Sequence, residues 1–328
     1  MPSFKSRLLN GLLRTLMRPR INEKTSATDV RRTIGRLEGL LHKPWPGQTL
    51  AKSELGGVPC DYLEQPGAHP ERTLLYLHGG GFMFHAPMVY HSFLGHLCSL
   101  IGTTAWLPDY RLAPEHPFPA GPDDCLAAYR GLLDKGIAAE NIVVMGDSAG
   151  GCLSLVTLLQ ALKEGLPMPA CAVTLSAVSE GYSPSASFIA NRQRDPMFSQ
   201  RATMLFRDSY LPPGTDPTDP RVSPYYGDFK GFPPLLMFAG STEMLLSDTI
   251  GASRKAALQG VSVHAQVWKS MPHVWPLFRQ LPEAKLARAT IAKFINQALD
   301  NPAGIELPEE IPQGWVTMNT FPSQVALI

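Results

Sequence analysis

The sequence has little of what marks a disulfide-stabilised, nucleic-acid-binding or membrane-spanning protein. Its formal net charge is only +1 over 328 residues, so no global electric field attracts a polyanion, and we do not expect nucleic-acid binding. Its five cysteines are odd in number and form no C-x-x-C pair, which favours reduced, buried thiols and a cytoplasmic protein. It has no long apolar run and no small-residue cleavage site near its amino terminus, so we expect neither a membrane span nor a signal peptide.

Residues 5–20 nevertheless combine apolar and basic side chains at helical spacing. The apolar ones are Leu8, Leu9, Leu12, Leu13, Leu16 and Met17, and the basic ones are Lys5, Arg7, Arg14, Arg18 and Arg20. Such a helix can pack its apolar face on the rest of the protein, or it can lie in a lipid interface. We expect packing without stable membrane association, and the lipid interface is the alternative.

What the chain does have is the composition of a globular protein. Hydrophobic residues make up 44% and charged residues 17% of it, which is enough apolar surface for a large core. Short apolar runs alternate with longer helical patterns, which predicts a mostly parallel central sheet flanked by helices. The predicted strands are 73–77, 103–107, 142–145, 171–175, 235–239 and 261–267, and the predicted helices are 123–133, 150–163, 248–259 and 283–299.

Two stretches interrupt this alternation and are predicted to form a helical cap over a site. One comprises residues 1–48, and the other, about 183–232, is rich in Pro, Arg, Asp and Tyr. The sheet domain, with this second stretch as its insertion, is then 49–300. The tail 301–328 contains four prolines, which oppose a continuous helix, so it is expected to wrap the surface, join a dimer contact or stay disordered.

The segment 146–151 has the sequence GDSAGG, follows the apolar run 142–145 and precedes a helical pattern. A strand, a sharp turn and a helix in this order are typical of a nucleophile elbow, which exposes its serine, here Ser148. Gly146 and Gly150 would let the strand and the helix approach closely around a strained turn. The alternative is a glycine-rich turn with an ordinary capping serine.

A second glycine-rich segment, HGGGF at 78–82, follows the apolar run 74–77. Its three successive glycines expose backbone N–H groups, which can stabilise an oxyanion together with the N–H of the residue after a nucleophile. A flexible loop and a phosphate cradle are the alternatives. Neither the Lys-Ser/Thr pair nor the G-x-G-x-x-G spacing of phosphate cradles is present here.

A serine nucleophile needs a base and a group that orients the base. In this fold class the base follows the last core strands, and of the nine histidines only His264 and His273 lie late enough in the chain for that position. His264 falls inside a predicted strand. His273 follows that strand, at the sheet edge where sites form, and is the predicted base. Glu243, in the loop after 235–239, is the predicted orienting acid, and Asp248 is its rival because Asp248 could instead cap the next helix. The order Ser, Glu, His is that of α/β hydrolases.

From about Leu74 to Phe278 the sequence resembles the hormone-sensitive-lipase-like carboxylesterases of the α/β-hydrolase superfamily. The segments HGGGF and GDSAGG are accompanied by DYRLAPEHPFPA at 109–120, DPM at 195–197, SP at 223–224 and MPH at 271–273. The resemblance implies an α/β-hydrolase fold with a helical cap and no metal or organic cofactor. It also implies that the backbone N–H groups of Gly80, Gly81 and Ala149 form the oxyanion hole.

The chain departs from the family pattern in two places. Glu243 stands in the segment EMLLS, where family members often carry Asp in D-P-L-x-D, and His85-Ala86 stands where a Gly-Ser pair is common. The first departure bears on the acid, and the second on the shape of the loop near the acyl pocket. Phe82, Phe84, Phe198 and Leu211 are candidates for the lining of that pocket.

The expected activity is that of a serine carboxylesterase on a small-molecule ester. His273 would deprotonate Ser148, and an acyl-enzyme would form and be hydrolysed by water. The resemblance implies short- to medium-chain acyl groups. The alternatives are a lactone or amide hydrolase on the same three residues, a lipase at membranes, and a small-molecule receptor on a hydrolase scaffold, against which His273 argues. A homodimer is left open.

Overall fold

The computed structural model describes residues 2–18, 25–41, 43–180, 185–301, 305 and 316–320. Its centre is a sheet with the strand order β1-β2-β4-β3-β5-β6-β7-β8-β9. The pairs β1–β2, β2–β4 and β8–β9 are antiparallel, and the five other pairs are parallel. The strands are β1 (Thr49–Leu55), β2 (Val58–Glu64), β3 (His69–Leu77), β4 (Thr103–Pro108), β5 (Ile142–Asp147), β6 (Cys171–Leu175), β7 (Leu235–Gly240), β8 (Val263–Trp268) and β9 (Val316–Thr320).

Helices cover both faces of the sheet. They are α1 (Phe4–Leu12), which continues as a π-helical turn (Leu13–Met17), α2 (Ala27–Leu41), α3 (Pro87–Ile101), α4 (Ala120–Asp134), α5 (Ala149–Lys163), α6 (Ala186–Ala190), α7 (Gln200–Tyr210), α8 (Leu246–Leu258) and α9 (Pro282–Asp300). In the described ranges no helix combines the length and the hydropathy that crossing a bilayer requires.

The central strands are apolar on both faces because both faces are covered. Along β3, Leu74 and Tyr76 join the core under α3 and α9, while Leu75 and Leu77 join the core under α4, α5 and α8. Successive strand residues point to opposite faces, so each face receives its own apolar set. This explains why the central strands are continuous apolar runs in the sequence.

The predicted fold class, an α/β-hydrolase fold with a mostly parallel sheet, is confirmed. All six predicted strands and four predicted helices are present, and the largest shift is at β3, which begins at His69 instead of Thr73. β1 and β2 were not among the predicted strands. β1 is an edge strand with six of its seven residues exposed, so it lacks the apolar pattern on which the prediction depends. β9 pairs with the outer edge of β8, and most of the tail around it lies outside the described residues.

Elements of both predicted cap stretches lie over the carboxyl ends of the strands, although their boundaries stay a prediction. The apolar face of residues 5–20 is expected to pack on the rest of the protein, and only part of it does. Leu9 and Leu13 pack inward, but Leu8, Leu12 and Leu16 are about half exposed. At 3.6 residues per turn the six apolar positions span about half of the helix circumference, and only the part of this arc that contains Leu9 and Leu13 meets the core. Arg20 lies outside the described residues.

Close packing of α4 on the turn between β1 and β2 predicts a specific stability effect. A Cβ atom on Gly131 would lie 2.8 Å from the carbonyl carbon of Leu55, and one on Gly35 in α2 would meet no atom within 4 Å. We expect Gly131→Ala to lower the free energy of unfolding by about 1–3 kcal/mol through overpacking. Gly35→Ala, the control, should be neutral or should stabilise by up to about 1 kcal/mol through helix propensity. Urea denaturation measures both, and equal effects would contradict the packing argument.

Candidate active site

Ser148 stands at the turn between β5 and α5 in a conformation that non-glycine residues rarely adopt. Its φ is 53° and its ψ −118°, and its N–H donates to the carbonyl of Leu175 at 2.8 Å. A Cβ atom on Gly150 would collide with the carbonyl of Leu77, and one on Gly146 with the carbonyl of Gly150. The two glycines of the motif are therefore required by the close approach of strand and helix. A backbone of this kind costs about 1–3 kcal/mol and persists because its surroundings hold it.

The glycine loop, residues 79–81, lies beside this turn. Gly80 and Gly81 have φ of 120° and 59°, and the carbonyl of Gly80 accepts from the N–H groups of Met83 and Phe84 at 3.0 and 3.1 Å. Within the described residues no hydrogen bond from the N–H groups of Gly80, Gly81 or Ala149 is found. All three residues line one cavity with Ser148. The arrangement leaves backbone donors available to an anionic oxygen next to Ser148.

Asp147 fixes the glycine loop to the serine turn, a role that the sequence analysis did not assign. Its buried carboxylate accepts from the N–H of Gly79 at 2.9 Å and from the hydroxyls of Tyr76 and Tyr90 at 2.9 and 3.4 Å. Burial raises the pKa of Asp147 to about 6, against the effect of these donors. Because Asp147 directly precedes Ser148, one carboxylate couples the positions of both motifs.

His273 and Glu243 form a buried hydrogen-bonded pair. His273 Nδ1 lies 2.7 Å from Glu243 Oε2, and the two residues are 2% and 0% exposed. His273 Nε2 is buried and has no hydrogen-bond partner among the described residues, and His273 lines the same cavity as Ser148. Burial alone would lower the pKa of His273, but the hydrogen bond and charge of Glu243 raise it above its ordinary value. The ring thus keeps one nitrogen, Nε2, that no described residue occupies.

Asp248, the rival acid, lies elsewhere in the site. Its Oδ1 accepts from the N–H groups of Ser179 and Glu180 at 2.9 and 2.8 Å, and burial raises the pKa of Asp248 to about 7. It therefore ties the loop after β6 to the first turn of α8. It is Glu243 that the structure brings to His273.

Comparisons with known proteins match the part of the chain that contains these site residues. A family profile described as alpha/beta hydrolase fold matches residues 74–277. The chain belongs to this family. An acetyl-hydrolase of Streptomyces hygroscopicus is 36% identical to this hydrolase over 236 residues, which cover 71% of this chain and 78% of that protein.

Solved structures have the same fold, and they indicate which group of esterases within the family this chain resembles. The esterase EstE5, in crystals soaked with p-nitrophenyl butyrate, superimposes on this hydrolase with a TM-score of 0.85 at 34% identity over 91% of this chain and 99% of that one. An esterase of the bacterial hormone-sensitive lipase family gives a TM-score of 0.84 at 34% identity, with the same coverage. The predicted membership among hormone-sensitive-lipase-like carboxylesterases is confirmed, and with it the prediction of a carboxylic ester hydrolase.

Two further residues of the hydrolase hold the His273–Glu243 pair in place, and both were missed. Ser176, fully buried, donates to Glu243 Oε1 at 2.8 Å and accepts from the N–H of Val274 at 3.1 Å, so it joins the acid loop to the histidine loop. Asp195 accepts from the N–H groups of Phe198 and Met244 at 2.9 and 3.0 Å. The DPM segment was the available signal for Asp195, whereas the sequence around Ser176 carries no motif.

The cavity has a volume of about 460 Å³ and mostly apolar walls. The four candidate pocket residues, Phe82, Phe84, Phe198 and Leu211, all line it, and the cap contributes Met17, Ile34 and Phe206. The ring of Phe198 meets that of His273 edge to face, with centroids 4.9 Å apart. A cavity of this size is within the usual range for small-molecule sites, about 300–1,000 Å³.

One group of side chains among the described residues has metal-ligand character, His78 with His85 and Asp109. The rings of His78 and His85 stack with centroids 4.0 Å apart at 6°. The in-plane lone pairs of two stacked rings lie in separate parallel planes and do not converge on one ion. His78 Nδ1 also lies 2.7 Å from the carbonyl of Gly79, which favours a structural role in the glycine loop.

The different contacts of Glu243 and Asp248 predict different effects when each acid is substituted. We expect Glu243→Gln to lower kcat for ester hydrolysis by about 10⁴-fold, as loss of a triad carboxylate does elsewhere. It should also move the acidic limb of the pH profile of kcat/KM to lower pH. With His273 as the predicted base, the limb is expected to report its protonation, and loss of the carboxylate removes the interaction that raises the pKa of His273.

Asp248→Asn is the matched control, because the amide oxygen can still accept from both N–H groups. Its kcat and its acidic limb should stay close to those of the wild-type chain. A larger loss of kcat in Asp248→Asn than in Glu243→Gln would reverse the assignment.

Proposed function

We propose that this hydrolase cleaves short- to medium-chain acyl esters through an acyl-enzyme intermediate on Ser148. His273 is the general base, and Glu243 orients it. One observation carries the proposal: Ser148 and His273 open onto a single, mostly apolar cavity, and Glu243 is bonded to Nδ1 of His273, while Nε2 has no hydrogen-bond partner among the described residues.

In the first half-reaction, His273 Nε2 takes the proton of Ser148 Oγ as this oxygen attacks the ester carbonyl carbon. The carbonyl oxygen becomes an oxyanion, which accepts from the N–H groups of Gly80, Gly81 and Ala149. One such donor lowers the barrier by about 3 kcal/mol. The imidazolium of His273 then gives its proton to the alkoxide as the ester C–O bond breaks, and the alcohol leaves.

In the second half-reaction, His273 takes a proton from water, whose oxygen attacks the acyl carbon. The bond between this carbon and Ser148 Oγ breaks, the serine regains the proton, and the carboxylic acid leaves. Glu243 stabilises the imidazolium that exists in both halves, and it holds the ring in the tautomer with hydrogen on Nδ1.

The cavity and the relatives support the proposed substrate range. Apolar walls favour an alkyl chain over a charged one, and a volume of about 460 Å³ bounds its length. The relatives support the same range, because one is named an acetyl-hydrolase and crystals of another were soaked with p-nitrophenyl butyrate.

The first test removes the proposed nucleophile. Ser148→Ala should lower kcat for p-nitrophenyl butyrate by about 10⁶-fold, and it should abolish labelling by a fluorophosphonate probe. Circular dichroism and the unfolding midpoint show whether the fold is retained. A folded variant that keeps wild-type activity would refute the proposal.

The second test measures the acyl range of the wild-type chain with p-nitrophenyl esters from acetyl to palmitoyl. We expect kcat/KM to peak within the short to medium chains and to fall for the longest, because their carbons cannot be desolvated inside the cavity. Matched lactones and amides are included. If an amide or lactone were preferred over its ester, the substrate class would be wrong although the mechanism stands.

A further inference from the structure

Four large apolar side chains of α1 and its π-helical turn face solvent. Phe4, Leu8, Leu12 and Leu16, here called the α1 stripe, are 73%, 54%, 46% and 51% exposed. They recur every four residues and so lie along one side of the helix. The π-helical turn at 13–17 is wider than an α-helical one, which turns the chain less per residue and keeps Leu16 in line with the others.

The opposite side of the helix already supplies its attachment to the protein. Leu13 is 5% exposed, Leu9 packs on the core, and Ser6 is fully buried. Asn10 Nδ2 donates to the carbonyl of Ser270 at 2.9 Å, and the N–H of Ser3 donates to Glu283 at 2.6 Å. These contacts hold the helix on the protein, so its attachment does not use the four side chains of the α1 stripe.

The charged residues of the helix that carries the α1 stripe all have one sign. Residues 2–18 contain Lys5, Arg7, Arg14 and Arg18 and no acidic residue, in a chain whose net charge is +1. At 3.6 residues per turn, Lys5 and Arg7 fall on opposite flanks of the stripe. The adjacent loop adds the exposed residues 192 and 194, both arginines, whose carbonyls accept from Arg18 and Arg14 at 2.5 and 2.9 Å.

The α1 stripe is also close to the cavity. Met17, which follows Leu16 directly, lines the cavity, and so does Met204 of α7, which is 43% exposed. Ile189 of α6 is 53% exposed. Six of the eleven exposed large hydrophobic residues in the described part of the chain therefore lie on cap helices. A lipid or protein surface bound to the α1 stripe would therefore lie next to the cap residues that line the cavity.

We propose that the α1 stripe docks the protein reversibly on an anionic lipid surface. Apolar side chains between flanking cations match a bilayer interface, where the side chains enter the acyl boundary and the cations meet lipid phosphates. A symmetric contact with a second copy would place these cations against their own kind. Docking is reversible because four side chains without a covalent lipid do not anchor a protein stably.

The test is cosedimentation of the full chain with vesicles of phosphatidylcholine alone, or of phosphatidylcholine mixed with phosphatidylglycerol, at low and high salt. The wild-type chain should bind the mixed vesicles, and less so at high salt. Leu8→Gln with Leu12→Gln should lower the partition coefficient by about tenfold or more. Glutamine keeps the helix propensity, so activity on a soluble ester should be unchanged.

Leu100→Gln with Leu258→Gln is the matched control, since these leucines are 43% and 69% exposed and lie in the last turns of α3 and α8, outside the cap helices. Its partition coefficient should change by no more than about twofold. Absence of binding to the mixed vesicles would overturn the proposal, as would equal losses in both double variants. If the chain is instead a dimer that the Leu8 and Leu12 substitutions dissociate, without vesicle binding, the stripe is a contact between copies and the proposal is wrong.

Discussion

The site depends on one backbone constraint, the positive φ of 53° that Ser148 adopts between β5 and α5. It directs the serine side chain away from the sheet and places the N–H of Ala149 at the start of a helix, where the dipole favours negative charge. The glycines two residues to either side exist because the Cβ atom of any other residue would strike a carbonyl group. The strain is held by the hydrogen bond from Ser148 N–H to β6 and by the packing of α5 on the sheet.

Buried carboxylates then set the positions of the other groups relative to this turn. Asp147 holds the glycine loop, Glu243 holds His273, and Asp195 joins the cap loop to the acid loop, each through hydrogen bonds to the groups it positions. Burying such groups is unfavourable unless their partners are in place, so the partners must adopt one arrangement. The loops around Ser148 are therefore ordered by polar contacts beneath an apolar cavity.

The cap has an inner and an outer surface, and the two differ in composition. Its inner surface supplies much of the apolar wall around the proposed acyl site, and its outer surface carries the α1 stripe and a concentration of basic residues. The same helix contacts the histidine loop, because Asn10 Nδ2 donates to the carbonyl of Ser270, three residues before His273. Lipid docking and ester hydrolysis would then use opposite sides of one element.

The sequence by itself determined the central strands and helices, the serine turn, the glycine loop and the order of Ser148, Glu243 and His273, because these features reside in local spacing and glycine placement. It left open whether Glu243 or Asp248 meets His273, and it could not find the roles of Asp147, Ser176 and Asp195. Each of those depends on a hydrogen bond between segments 30 to 98 residues apart, which no local pattern encodes. Nor does the sequence indicate which apolar residues of α1 are exposed, because apolar residues at helical spacing form the same pattern whether they face a core or water. Only the tertiary structure decides which of them are covered.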